Sequence, residues 1–207
     1  MNIPYSSIHF LWTAIDWIYP PVCAGCKRTG FRFCPQCLSQ VKVFRRSYCL
    51  SCGNPISSKA RLCSNCQPTK IVFTDLASWA EFEGPLREGL HSLKYHQNIG
   101  LGDFFSPFLI SIVENRQWNP DLVLPVPISK SRRKTRGYNQ SELLSRPLAR
   151  YFHLPHEHEA FIRVKDTESQ IQLSAEDRFR NMDDAFFGNP AKLKGKSILV
   201  IDDIITT

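Results

Sequence analysis

Eight cysteines and one aspartate pair carry most of the chemistry open to this 207-residue chain. The cysteines are Cys23, Cys26, Cys34, Cys37, Cys49, Cys52, Cys63 and Cys66, four Cys-x-x-Cys units with no cysteine elsewhere. Each unit can grip a metal from a tight turn, and two units supply the four thiolates that structural zinc prefers, so the spacing predicts two zinc ions. Sequential sharing, Cys23/Cys26/Cys34/Cys37 and Cys49/Cys52/Cys63/Cys66, is the simplest; spacing leaves an interleaved cross-brace open. Asp202 and Asp203 end the apolar run Ile198-Leu199-Val200-Ile201, and Thr206-Thr207 follow. That pattern predicts a buried strand with polar groups at its carboxyl end, where ligands bind in open α/β sheets. Adjacent acids can hold ribose hydroxyls, while hydroxyls and backbone N–H groups in a loop entering a helix can cradle a phosphate. Taken alone, the same residues also suit a purely structural strand.

A second cluster holds Lys130, Arg132, Arg133, Lys134 and Arg136, just after an apolar run at residues 121–126. Its density fits a pyrophosphate, a nucleic-acid backbone or a plain charged surface. Gly137-Tyr138-Asn139-Gln140 then opens a helix whose N-terminus attracts anions. Tyr138 can stack on a base or pack against the sheet. His153, His156 and His158 imitate a metal cluster, but they flank Pro155 in a loop-like stretch and read as structural. Neither Gly-x-Ser-x-Gly nor a Walker A motif occurs.

The elements that must position these groups follow from periodicity. Alternation predicts a strand at residues 78–82, and Leu86, Leu90 and Leu93 mark one face of a helix starting near Pro85. Further helices are expected over residues 101–115, despite Pro107, and 140–152, kinked by Pro147. Strands are expected at 121–126 and 161–164, and a turn at 188–196 before the final strand. This alternation gives an α/β domain with a mainly parallel sheet over residues 71–207. Residues 21–70 form a small cysteine module with metal for a core. Residues 1–20 read as an amphipathic helix with Trp12 and Trp17 as anchors, membrane-surface association being the alternative. They lack a basic n-region and a cleavage site and are too short to span a bilayer, so no transmembrane segment and a cytoplasmic location are expected. In that compartment paired cysteines bind metal before they form disulfides. The net charge of +7 arises in residues 1–70, which hold nine Lys/Arg and one acid, against 17 and 18 in the remainder. A modest basic face of this kind suits nucleic acid or another polyanion.

Four segments in order resemble the ComF family of competence-related proteins. They are the paired Cys-x-x-Cys motifs; Leu124-Pro125-Val126-Pro127 with Arg136-Gly137-Tyr138-Asn139-Gln140; Leu173-Ser174-Ala175-Glu176-Asp177-Arg178 with Arg180-Asn181 and Ala185-Phe186; and the final strand with its acids. The last is similar to the phosphoribosyl pyrophosphate (PRPP) motif of type I phosphoribosyltransferases. The resemblance implies a double zinc ribbon followed by a type I phosphoribosyltransferase-like domain. Asp202 and Asp203 would be the catalytic pair holding the ribose diol with Mg²⁺, Thr206 and Thr207 would begin the 5′-phosphate loop, and Arg136 and Lys94 would bind PRPP, with Arg178 and Asn181 facing the same cleft. Loss of pyrophosphate builds charge on sugar and leaving group, so the protein's task is positioning and electrostatic stabilisation. Against the family pattern the chain reads as C-terminally truncated, with weak PRPP binding expected. The resemblance equally implies a non-catalytic protein that handles single-stranded DNA, beside a helicase or other component of the uptake machinery; an inactive product is the third reading.

Overall fold

The computed structural model describes residues 20–44, 47–49, 55–56, 61–67, 72–165 and 185–205. Trp12 and Trp17 of the expected N-terminal helix, Cys52, Arg178, Asn181, Thr206 and Thr207 lie outside the described residues. No helix among the described residues is long and apolar enough to cross a membrane.

The chain is α/β. Its cysteine-rich part contributes helix α1 (Pro35–Ser39), the antiparallel strands β1 (Ser47–Tyr48) and β2 (Pro55–Ile56), and one 3-10 turn (Ser64–Cys66). Helices α2 (Gly84–Tyr95) and α3 (Gly100–Asn115) follow, then β3 (Leu122–Pro125), α4 (Lys130–Arg136) and α5 (Gln140–Tyr151). Strands β4 (Phe161–Arg163) and β5 (Phe186–Gly188) pair antiparallel, and the short helix α6 (Pro190–Leu193) leads into β6 (Ile198–Ile201). Strands β3 and β6 run parallel in the register Leu122↔Ile198 to Pro125↔Ile201, so their carboxyl ends stand level. The loops that leave them therefore emerge side by side.

Every residue of β3 is buried, as helices and neighbouring strands on both faces require. β6 is buried on one face only: Leu199 and Ile201 enter the core while Val200 is half exposed, which corrects the fully buried strand expected there. Residues 78–82 form no strand beyond a single bridge between Ala80 and Val43. Trp79 and Ala80 pack against the core, Trp79 stacking on Phe108, while Phe82 stays exposed, so tertiary packing of Trp79 underlies the pattern that imitates a strand. The turn expected at 188–196 contains α6, because Pro190 starts a helix and the Asn189 side chain caps it by accepting from the Ala191 N–H.

Both internal prolines are absorbed by helices. Pro107 removes the N–H that would bond to the Asp103 carbonyl, and that carbonyl instead accepts from Ser106 Oγ at 3.1 Å. Pro147 likewise frees the carbonyl of Leu143 in α5, and α3 comes close to it at Gly102. A Cβ on Gly102 would lie 2.8 Å from both that oxygen and Leu143 Cβ, so only glycine allows this approach.

The main core joins the two parts of the molecule. Leu86, Leu90 and Leu93 of α2, Leu101 and Phe105 of α3, Leu144 and Leu148 of α5, and Leu199 and Ile201 of β6 share one cluster with Cys23, Phe33, Cys34 and Cys37.

Candidate functional site: an acid pair and two cysteine clusters

The level tips of β3 and β6 create the setting. After β3, Val126 extends the ladder by donating its N–H to the Ile201 carbonyl at 2.9 Å. Ser129 caps α4 by accepting from the Arg132 N–H, and α4 ends at Gly137, whose φ of 81° turns the chain back. Asn139 then fastens this turn to the sheet, its Nδ2 donating to the Val126 carbonyl at 2.9 Å while its Oδ1 caps α5 by accepting from the Ser141 N–H. The N-terminus of α5 is thereby aimed at the tip of β6.

Two residues of its first turn reach the acids. Ser141 Oγ donates to Asp202 Oδ1 at 2.8 Å, and Gln140 Nε2 donates to Asp203 Oδ1 at 3.2 Å. Lys94, near the C-terminus of α2, places Nζ 2.6 Å from Asp203 Oδ2. Arg136 joins at one remove: its Nη1 donates to Gln140 Oε1 at 2.6 Å, and its guanidinium lies 5.0 Å from the centre of the Tyr95 ring. Tyr138 packs inward, its hydroxyl donating to the Leu93 carbonyl, so the base-stacking orientation is not the one adopted. The structure thus brings Asp202, Asp203, Lys94 and Arg136 into one polar cluster.

An apolar cavity of about 160 Å³, walled by Trp79, Phe82, Phe105 and Leu144, opens beside the two carboxylates. Desolvation by these surroundings, and then the charge of Asp203, push the Asp202 carboxyl up to about 6. Donation from Ser141 and from the Asp203 N–H opposes the rise.

Lys130, Arg132 and Lys134 do not join this cluster; they are exposed on α4 and form no ion pair among the described residues. Arg133 points elsewhere, pairing at 3.2 Å with the buried carboxylate of Glu142, which also binds Arg146. His156 is half-buried and hydrogen bonds through Nε2 to Ser145 Oγ at 2.8 Å, the structural role read for it.

Sequence reasoning gives no individual role to Gln140 or Ser141, the two residues whose side chains bond the acids. Their signal was Asn139, a strong N-cap residue that places the next two positions at the anion-attracting end of a helix.

The cysteines group sequentially. Sγ atoms of Cys23, Cys26, Cys34 and Cys37 lie within 4.8 Å of one another, as do those of Cys49, Cys63 and Cys66. In the first group Cys23 and Cys37 are 3.7 Å apart and Cys26 and Cys34 3.6 Å. Zn–S bonds of about 2.3 Å in a tetrahedron put sulfurs about 3.8 Å apart, whereas a disulfide needs about 2.05 Å. The first cluster therefore fits zinc and excludes disulfides between these pairs. The Cys34 N–H donates to Cys23 Sγ and the Cys37 N–H to Cys34 Sγ, the turn geometry that readies thiolates for a metal. Burial opposes ionisation of Cys23, but N–H groups of Cys26, Cys34 and Gly25 outweigh it and bring the thiol down to about 6. Burial and the neighbouring thiols hold Cys37 up, so the four are not equivalent before metal arrives.

Comparison with known proteins follows the same division. A model of the double zinc ribbon domain matches residues 14–67. The "DNA utilization protein YhgH" of Shigella flexneri is 29% identical over 196 residues, covering 92% of this chain and 79% of that protein. "Competence protein F" of Haemophilus influenzae is 29% identical, covering 84% and 78%, and "Competence protein ComFC" of Bacillus subtilis 26% identical, covering 85% and 73%. No solved structure matches. The likeness to these relatives covers most of the chain, the cysteine ribbon and the α/β part together, and supports assignment to the ComF family of competence-related proteins.

Proposed function

We propose that the acid pair is a PRPP site and that the protein is a phosphoribosyltransferase-type member of its family, with a competence-associated role in DNA use. One observation carries this reading: carboxylates and cations converge at adjoining strand tips, Lys94 and the Arg136–Gln140 pair beside Asp202 and Asp203. A ligand bearing both a diol and a pyrophosphate needs both signs of charge within one cleft. Asp202 and Asp203 would hold the ribose hydroxyls, with Arg136 and Lys94 available to the phosphates, and Thr206 and Thr207 would begin the 5′-phosphate loop.

Mg²⁺ suits this donor set. Both oxygens of Asp203 are engaged, by Gln140 and Lys94, whereas the hydrogen bonds that Asp202 accepts from Ser141 and from the Asp203 N–H both fall on Oδ1, and Mg²⁺ commonly takes one or two carboxylates and fills its shell with water and phosphate oxygens. When bound, it would neutralise the charge that develops on the pyrophosphate. The chain's own residues orient the ribose and exclude water along the apolar wall of Trp79 and Phe105.

Isothermal titration of PRPP with Mg²⁺ into the zinc-loaded chain tests the proposal. Saturable binding that disappears in Asp202→Asn/Asp203→Asn supports it; absence of binding to the folded protein overturns it.

A second reading rests on α4. Its exposed Lys130, Arg132 and Lys134 suit the backbone of single-stranded DNA, and relatives are named for DNA utilization and competence. In that case the protein would work beside a helicase or another uptake component. Fluorescence anisotropy with labelled oligonucleotides decides the matter: salt-sensitive binding that Lys130→Glu/Arg132→Glu/Lys134→Glu abolishes supports it, and unchanged binding removes it.

A further inference from the structure

The two cysteine clusters are placed differently with respect to the acid pair. Cys23, Cys34 and Cys37 are almost fully buried and belong to the core that α2 completes. Cys63 and Cys66 are partly exposed, and none of the second cluster's described cysteines enters that core.

Contact between the first cluster and α2 leaves no slack. Gly25 is squeezed between them: a Cβ there would lie 2.7 Å from Cys37 Sγ and 3.1 Å from Pro85 Cβ. One turn further along α2, a Cβ on Gly89 would lie 3.1 Å from both Phe33, beside Cys34 in the chain, and Phe105 of α3. At the other end of the helix Leu93 receives the Tyr138 hydroxyl and Lys94 meets Asp203. A 12-residue helix is a rod about 18 Å long, and a tilt at its first turn carries through to its last. Without metal, four thiols packed at 3.6–3.7 Å lose the bonds that hold them together, and the wall on which the start of α2 rests loses its shape.

We propose that zinc at Cys23, Cys26, Cys34 and Cys37 holds Lys94 against Asp203 through α2, so that occupancy of this site, and not of the second, sets the state of the acid pair. The first zinc is a control element for the cleft, and the second cluster is free to serve another surface. This inference stands whether or not the cleft takes PRPP.

Lysine-selective acylation read by mass spectrometry tests it on the full chain, together with amide exchange. In the zinc-loaded protein Lys94, paired and 16% exposed, reacts slowly. Cys26→Ser removes the one exposed ligand of the first cluster and is the mildest way to weaken it. The expected result is a rise of about tenfold in Lys94 acylation and faster exchange over α2, with α5 still protected. Cys63→Ser/Cys66→Ser should leave Lys94 unchanged. Gly89→Ala, which keeps all eight cysteines and wedges α2 outward, should also release Lys94 with zinc retained. The proposal is overturned if Lys94 stays protected in Cys26→Ser after zinc loss, if the second-cluster variant releases it equally, or if α5 loses protection along with α2, which would mark global unfolding.

Discussion

Lys94 and Asp203 form the tightest link between helix α2 and the tip of β6, Nζ to Oδ2 at 2.6 Å with the aspartate side chain 3% and the lysine 16% exposed. Removing Lys94 leaves the buried Asp203 carboxylate without its counter-charge, which costs more than the pair contributes as a whole. Lys94→Met is therefore expected to destabilise the protein by about 3 kcal/mol at neutral pH. Adding Asp203→Asn should recover more than half of that, since Asn still accepts from Gln140 while burying no charge. Urea unfolding of both singles and the double checks this; equal, additive losses would show that the two residues do not act as a pair.

Asp202 makes the proposed site sensitive to acid. Its carboxyl is pushed up to about 6 by desolvation and by Asp203, and a divalent cation needs it ionised. Above pH 6 the affinity for Mn²⁺ or Mg²⁺ should be level. Well below that pH it should fall about tenfold per pH unit, because each bound ion must displace one proton. Titration with Mn²⁺ followed by electron paramagnetic resonance reads this directly. An Asp202→Asn protein should bind weakly and show no such dependence.

The parts of this molecule that are legible in its sequence are those fixed by local pattern. The cysteine spacing, the Leu86/Leu90/Leu93 stripe of α2 and the apolar run of β6 each state their structure within a few residues. Contacts between distant segments are not stated in that way. Gln140 and Ser141 meet Asp203 and Asp202 only because β3 and β6 are parallel neighbours and the Gly137 turn brings α5 back to their tips. Alternation at residues 78–82 mimics a strand because Trp79 is drawn into the aromatic cluster of α3, and tertiary packing overrode the pattern. Helix α4, dense in charge and with no buried residue, offers no hydrophobic period to read; its caps, Ser129 and Gly137, are its only local signal.

Gly102 predicts its own intolerance. Ala is favoured over Gly inside a helix by about 1 kcal/mol, so in isolation Gly102→Ala would stabilise α3. Here the new methyl meets the backbone carbon and oxygen of Leu143, which cannot rotate away, and overpacking of this kind costs about 1–3 kcal/mol. The steric cost should win, with a net loss of about 1 kcal/mol, or about 2–4 °C in the thermal midpoint. Gly100→Ala serves as the contrast. The atoms in its way are the guanidinium of Arg32, the far end of a flexible side chain, and its loss should be smaller. An equal loss at both positions would contradict the account of the α3–α5 contact.

His156 and Asp202 should pull stability in opposite directions over the same pH range. Burial, helped by the charge of Arg146, lowers His156 from 6.5 to about 4. Between those values the unfolded chain binds a proton that the folded one does not, so this group makes stability rise with pH from about 4 to 6.5. Asp202 is raised from 3.8 to about 6, so between those values the folded chain holds the extra proton and stability falls as pH rises. The two slopes offset each other in the native protein. Measured against wild type, Asp202→Asn should unmask the histidine, its relative stability climbing between pH 4.5 and 6. His156→Gln should unmask the aspartate, its relative stability declining over the same interval. Urea midpoints at pH 4.5, 5.5 and 6.5 suffice, and two variants sloping in the same direction would mean that one of these groups does not have the environment described for it.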